Sequence, residues 1–478
     1  MMLRGLIPAA GEGVRAYPAT RYLPKVLLEI AGKLVIVRNI EIMRDQIDVR
    51  DITIIVGYFG DQIRTALGTG EQFGVKLDYV VCPDPKVGLA QGLLPTLDRF
   101  DAPFVTILGD EIYLDTNHAD ILKLDLNSAI AACGVMHTED KRQIRKNYSV
   151  EVANGHITGV VEKPSAPGNN LLGVGTYILQ PRIADWIRKT PPSPRSGRVE
   201  FTDALMHAIQ GGERILPVSL TGQYFNINTI EDYNDANYAA RDRNFERYKV
   251  SVVIPAYNEE ESIGYVIDDF RPYVDEVLVV NNSSKDRTAE VAQQHGARVE
   301  TVALKGYGDT IKYGLDNAAG DILVVVEADH SFRAKDLGKL LEYLKDADMA
   351  IGTRTTRQMV EQGANMRGLL RWGNVVVGKI VEVLWWGQEP RFTDVGCTYR
   401  AIWKEAWFKI RDRMEGLGPE FSPEMMIEIL RARRRVLEIP VSYYPRVGGE
   451  SKHSDSYWKI GRTALRMLKM IFAKRLSR

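Results

Sequence analysis

Cysteine is scarce: Cys82, Cys133 and Cys397 are the only three in 478 residues, they stand far apart, and no CxxC spacing occurs. This excludes a disulfide framework and a cysteine-built zinc site, and it fits a reducing compartment. An excess of charge of either sign is missing too, since 62 Lys and Arg balance 62 Asp and Glu. Without a global basic field, sequence-independent binding of nucleic acid is not expected, and any polyanion site must be local. No run reaches the roughly 18 apolar residues of a membrane span; Val375 to Trp386 comes nearest and is interrupted by Lys379 and Glu382. The opening MMLRGLIPAAGEG enters a glycine turn directly, so it reads as a first strand and not as a leader. A cytoplasmic protein, at most peripheral at the inner face of a membrane, is expected.

What is present is a chain that starts twice. At 478 residues it exceeds one ordinary core. Leu3 to Ala10 (LRGLIPAA) and Lys249 to Ala256 (KVSVVIPA) each have the form of a first strand ending in Pro-Ala before a polar turn. After each, β-branched runs such as DITIIVGY and FVTILGD, then DEVLVVNN and DILVVVEAD, alternate with helical patterns. That alternation predicts an α/β fold with two domains, each a mostly parallel sheet flanked by helices. Residues 231–248 are polar, without Gly or Pro, and predict a helical connector between a domain over 1–240 and another over 249–478. Ligand sites in such sheets lie at the carboxyl ends of strands.

In the first half, Ala10, Gly11 and Gly13 follow the first strand, and Arg15 and Lys25 come soon after. Glycines let backbone N–H groups approach phosphate, and the two cations can neutralise a triphosphate. Taken alone, a glycine pair after a strand is an ordinary tight turn. The longer string IPAAGEGVRAYPATRYLPKVLLEIAGK, followed in order by VGLAQG, LGDE, VEKP, GVGTYIL and NINTIEDY, resembles the sugar-1-phosphate nucleotidyltransferases over about 235 residues. The resemblance implies that the Gly11 to Arg15 loop and Lys25 hold NTP phosphates and that Ala90 and Gly92 lie near the base. It further implies that Asp110 and Asn226 hold Mg2+ (or Mn2+), and that Glu162, Lys163 and Gly175 meet the sugar phosphate. Asn226 departs from the Asp that many relatives carry; an amide oxygen is a weaker ligand than a carboxylate.

In the second half, SVVIPAYNEEESI, VVNNSSKDRTAEVA, VVVEADHSF and FTDVGCTYRA resemble inverting glycosyltransferases with a GT-A fold, of the polyprenyl-phosphate (dolichyl-phosphate) mannose and glucose synthase type. That implies two Rossmann-like GT-A-type domains in the chain as a whole. Pro255, Ala256, Tyr257, Glu259 and Asn282 would form the nucleotide pocket, with Glu327 and Asp329 at the metal. An alcohol acceptor would need a carboxylate base, for which Asp394 and Glu424 are the candidates. A phosphate acceptor would need cations instead, and Arg446, Ser451 and Lys452 suit it.

The expected function is bifunctional: NTP plus sugar 1-phosphate gives NDP-sugar and diphosphate, and the sugar then passes with inversion to a polyprenyl phosphate. A small soluble acceptor, or a first half that only binds nucleotide as a regulator, are the alternatives. Tyr457 to Arg478 carries seven Lys/Arg and no acid. At helical spacing Ile460, Ala464, Met467, Leu468 and Ile471 share one face, opposite Lys459, Arg462, Arg466 and Lys469. Such a helix either lies on anionic lipid or packs on its own domain. The stretch Met366 to Trp386 is the other candidate for meeting lipid. Nothing in the sequence fixes an oligomeric state.

Overall fold

The computed structural model describes residues 3–16, 20–364, 368–447 and 457–477. It divides into two compact units, Met1–Ala236 and Asn237–Arg478. In the first, the strand Arg4–Ala9 lies between Asp51–Val56 and Phe104–Ile107 and is parallel to both; Lys76–Val81 extends the sheet beyond Asp51–Val56. On the other side Leu171–Leu179 runs antiparallel to Phe104–Ile107, then come Ala131–His137 and Ile215–Leu220. The hairpin Tyr148–Ala153/His156–Glu162 brings the sheet to nine strands. Side chains alternate across the pleat, so Leu6 and Ile7, like Ile55 and Ile54, enter separate apolar clusters.

The second unit repeats this path. Arg298–Thr301, Glu276–Asn281, Val250–Ala256 and Ile322–Val325 are parallel, Arg400–Trp403 is antiparallel, and Met349–Thr353 and Val436–Pro440 pair in parallel. Both sheets are therefore mixed: a parallel half, as the βα alternation predicts, joined to a half containing one reversed strand. In each unit the first strand sits where the order reverses, the place at which open α/β sheets carry their ligand sites.

The helix Ile230–Asp242 carries the chain from the first unit into the second. Within the second unit, Arg241 is buried: its Nη2 donates to Asp348 Oδ1 at 2.8 Å and its Nη1 to the Ala347 carbonyl at 2.8 Å. Arg434 Nη1 shares that Oδ1 at 2.8 Å, and the Arg435 N–H donates to Oδ2 at 2.9 Å. Burial raises the Asp348 carboxyl pKa, but Arg241 and Arg434 outweigh it and the net shift is downward. Asp348→Ala would deprive two guanidiniums of their shared carboxylate. It is expected to cost about 3–5 kcal/mol in the unfolding of the second unit, measured by urea titration.

Candidate active sites

In the first unit the turn after Arg4–Ala9 closes through Gly13, whose φ of 68° favours glycine; the Ala16 N–H and the Thr20 hydroxyl both donate to its carbonyl. The Gly11 Cα faces open space. Lys25, buried, donates from Nζ to Asp110 Oδ2 at 2.6 Å, and Arg15 Nη2 donates to Asn228 Oδ1 at 2.8 Å. Asp110 lies just beyond Phe104–Ile107. A two-stranded ribbon, Glu111–Leu114 with Gln223–Asn226, sets Asn226 opposite Glu111, and the Ile227 N–H donates to the Asp110 carbonyl at 3.3 Å. Arg15, Lys25, Asp110 and Asn226, spread over 212 positions of sequence, are thus brought to the same end of the sheet.

Behind them is a polar network without a sequence signature beyond one acid beside another. Glu111 is buried; the Tyr224 hydroxyl donates to its Oε1 at 2.6 Å, and the Tyr113 hydroxyl and Gly175 N–H donate to its Oε2 at 2.6 and 2.8 Å. A Cβ on Gly175 would come within 2.5 Å of that Oε2, so glycine is needed for the approach. Gly175, expected at the sugar phosphate, has its N–H on Glu111. Asn226 Nδ2 donates to Asn147 Oδ1 at 2.8 Å, and Asn147 O accepts the Lys163 N–H at 2.6 Å. Glu162 accepts from Thr202 at 3.3 Å and lies 3.5 Å from Lys163 Nζ. Ala90, on the helix Leu89–Leu97, is buried in the core, and a Cβ on Gly92 would meet Cys82 Sγ at 3.8 Å. The Ala10 carbonyl accepts the Tyr58 N–H.

In the second unit a cavity of about 650 Å³ opens at the matching end of the sheet, lined by Pro255, Ala256, Tyr257, Glu259, Asn282, Glu327, Asp329 and Arg446 among others. Asp329 is buried; Arg446 Nη2 donates to its Oδ2 at 2.6 Å and the Ser331 N–H to Oδ1 at 2.9 Å. Glu327 accepts from the Thr398 hydroxyl at 2.7 Å, and burial first, then the charge of Asp329, push its carboxyl pKa up. The Asn282 amide is turned onto the backbone: Oδ1 accepts the Leu304 N–H at 2.9 Å and Nδ2 donates to the Leu304 carbonyl at 3.4 Å. It shapes the pocket floor more than it offers an edge to a base. Ser262 donates to Glu259 Oε2 at 3.0 Å.

The two carboxylates considered as bases need correcting. Asp394 is fully buried, receiving the Arg354 Nε, Nη2 and N–H at 2.8, 2.9 and 2.9 Å. Glu424 is equally buried, receiving the Glu415 and Gly416 N–H groups and lying 2.9 Å from Lys474 Nζ. Neither is presented to the cavity as a free acceptor of a proton. What reaches the cavity is Arg354, oriented by Asp394, together with Tyr443 and Thr398. An Arg directly after a buried strand, in IGTR, was the available signal. Ser451 and Lys452 lie outside the described residues, as do Met366 and the side chains of Lys459 and Ile460.

The cavity's far wall consists of the helices Leu369–Leu384 and Tyr457–Leu476, through Leu370, Val377, Ala464 and Met467. The helices pack against each other. Met467 and Ile471 are buried, so of the two placements expected for this apolar face the structure shows packing on its own domain. The outward faces are not purely polar: Trp372, Val376, Lys379 and Val383 form an exposed stripe at i, i+4, i+7, i+11, and Leu465, Lys469, Phe472 and Leu476 form another. Among the described residues no helix is long and apolar enough to cross a membrane.

Residues 4–243 match the Nucleotidyl transferase family and residues 251–401 match Glycosyl transferase family 2. The chain belongs to the nucleotidyl transferase family in its first half and to the glycosyltransferases in its second, and is an enzyme of both types. The Haloferax volcanii UTP–glucose-1-phosphate uridylyltransferase AglF is 30% identical over 236 residues, 49% of this chain and 95% of that one. The low-salt glycan biosynthesis nucleotidyltransferase Agl11 of the same organism is 30% identical over 237 residues, 49% of this chain, which spans only 65% of that relative's length. An uncharacterized glycosyltransferase of Mycobacterium bovis is 34% identical over 228 residues, 44% of this chain and 97% of that one.

Glu111 carries a pH consequence. Burial raises its pKa to about 7, against hydrogen bonds from Tyr113 and Tyr224 that lower it. A carboxyl that binds its proton more tightly when folded contributes stability below its unfolded pKa and loses it as pH rises through about 7. Glu111→Gln, which keeps the donor geometry of the protonated acid, is expected to flatten that dependence. The melting temperature of the variant relative to the parent should therefore rise by several degrees between pH 5 and 8; an unchanged difference would mean that Glu111 is ionised throughout.

Proposed function

We propose that the first unit joins an NTP to a sugar 1-phosphate and that the second passes the sugar, with inversion, to a polyprenyl phosphate. The observation that carries the reading is the same arrangement found twice: a carboxylate beyond the strand next to the first strand, met by a cation at 2.6 Å, as Lys25 meets Asp110 and Arg446 meets Asp329. In the first reaction a phosphate oxygen of the sugar 1-phosphate bonds to the α-phosphorus as the bond to the β-phosphate oxygen breaks, releasing diphosphate. Two anions must meet, so Arg15 and Lys25 hold phosphate charge while the Gly11 to Gly13 backbone admits it closely. AglF, by its name, uses UTP and glucose 1-phosphate, which makes these the first substrates to try.

In the second reaction an acceptor oxygen bonds to the anomeric carbon as the bond to the nucleoside diphosphate breaks. With Asp394 and Glu424 both saturated, an acceptor that is already anionic fits better than an alcohol needing a base. Arg354, locked by Asp394, and Arg446 supply the cations for it. The apolar far wall suits a polyprenyl chain, and the two stripes, each with a Lys between apolar residues, suit contact with an anionic membrane surface.

The residues fit a divalent cation in both units. Asn226 Oδ1 is buried without a hydrogen-bond partner among the described residues, and Glu327 and Asp329 offer neighbouring carboxylates. Asp110 with Asn226, and Glu327 with Asp329, would hold Mg2+ or Mn2+, which supplies charge neutralisation at the departing phosphate. No group of three His, Cys, Asp or Glu gathers among the described residues, so ligand oxygens would complete either shell.

Asp110→Ala is expected to lower NDP-sugar synthesis by at least 100-fold and to spare transfer from supplied NDP-sugar; Asp329→Ala should do the reverse. Loss of both reactions with either substitution would end the two-site reading. Leu465→Glu with Phe472→Glu is expected to reduce partition onto phosphatidylglycerol vesicles about tenfold while NDP-sugar synthesis in solution is unchanged. If the parent chain itself ignores such vesicles, a soluble acceptor is favoured.

A further inference from the structure

The Asn226 amide is asymmetric, and to serve as a cation ligand it would have to keep its oxygen, not its NH2, as the free end. Which end is free is settled by Asn147. The Asn147 Nδ2 donates to the Gln143 carbonyl at 3.0 Å, which fixes the orientation of that amide and turns its Oδ1 toward the ribbon Gln223–Asn226. Asn147 Oδ1 then accepts Asn226 Nδ2 at 2.8 Å and lies 3.3 Å from the Tyr224 hydroxyl, itself held by Glu111. With the opposite rotation of Asn226 two carbonyl oxygens would face each other and a buried NH2 would be left without an acceptor, so the hydrogen bonds select one rotamer. The end left over is Asn226 Oδ1, buried and without a partner among the described residues. A carbonyl oxygen in that state costs free energy until a donor or cation meets it.

We propose that Asn147 is a positioning residue that locks the Asn226 amide with its oxygen toward the divalent cation of the first unit. The inference rests on the reading of Asp110 and Asn226 as cation ligands. It accounts for how an asparagine serves at this place: a carboxylate presents an oxygen in either rotation and needs no lock, whereas an amide presents one only when its NH2 is claimed from behind. The same residue accepts the Lys163 N–H on its main-chain oxygen, so the lock is tied to the segment expected at the sugar phosphate.

The test is Mn2+ affinity, read by electron paramagnetic resonance on the full-length chain carrying Asp329→Ala, so that the second unit's candidate site contributes nothing. Outer-shell partners of a metal ligand commonly matter about 10–100-fold. Asn147→Ala is expected to weaken Mn2+ binding at least tenfold. Asn147→Asp, which retains an acceptor for Asn226 Nδ2, should stay within about threefold; it also remains informative if the alanine variant does not fold. In an Asn226→Asp background, Asn147→Ala should change affinity by less than about twofold, because the two carboxylate oxygens are equivalent. An equal loss in both backgrounds would reduce Asn147 to a structural residue and overturn the lock. No loss from Asn147→Ala, with a clear loss from Asn226→Ala, would overturn the lock alone. No loss from Asn226→Ala would remove the cation reading beneath it.

Discussion

A carboxylate withdrawn from water costs several kilocalories per mole unless a cation meets it, and a cation held in a crevice has the same need. Both units are arranged around such a meeting, Lys25 with Asp110 and Arg446 with Asp329, each at 2.6 Å. The pairs differ in depth: the Asp110 side chain keeps 35% of its exposure and the Asp329 side chain 3%. The deeper one draws more support, from the Ser331 N–H and from the Thr398–Glu327 bond beside it. The shallower one leans on a ribbon, because Gln223–Asn226 is what brings Asn226 and the Ile227 N–H to Asp110.

The shared strand path explains why the meeting recurs at equivalent places. A parallel strand on either side of the first one leaves a gap between the loops above it, and residues just beyond the neighbouring strand, Asp110 in one unit and Asp329 in the other, project there. The reversed strand on the far side does different work in each unit. Leu171–Leu179 supplies Gly175, which admits Glu111 behind the first site, whereas Arg400–Trp403 follows directly on the segment that holds Asp394 and Thr398.

Contiguous strings made much of this legible. The βα alternation carried the fold class, whereas the glycine turn, Lys25, Asp110 and Asp329 were reached through the resemblance of the longer strings that contain them, since a glycine pair after a strand is by itself an ordinary turn. Asn147, Glu111 and Arg354 were not legible, since their importance lies in partners 40 to 113 positions away. Asp394 and Glu424 misled for the complementary reason: a carboxylate in a polar segment looks available until burial and an Arg or Lys partner are known. The C-terminal helix shows a third limit. Its periodicity identifies two faces, but which one turns inward depends on Met467 and Ile471 finding a core and on Lys474 finding Glu424 and Glu428.

The pairing also bears on how such sites receive ligand. A crevice whose carboxylate and cation already satisfy each other has little net charge to offer, so a bare triphosphate gains Lys25 only at the expense of Asp110. Under the proposed function, a triphosphate bringing its own divalent cation would avoid that loss: the phosphate would take the lysine and the carboxylate the metal. On the proposed function the same exchange would apply to Arg446 and Asp329 with a nucleoside diphosphate sugar. The two ion pairs hold their side chains in position and keep the charges compensated; on the proposed function they would be exchanged for phosphate and metal when nucleotide binds.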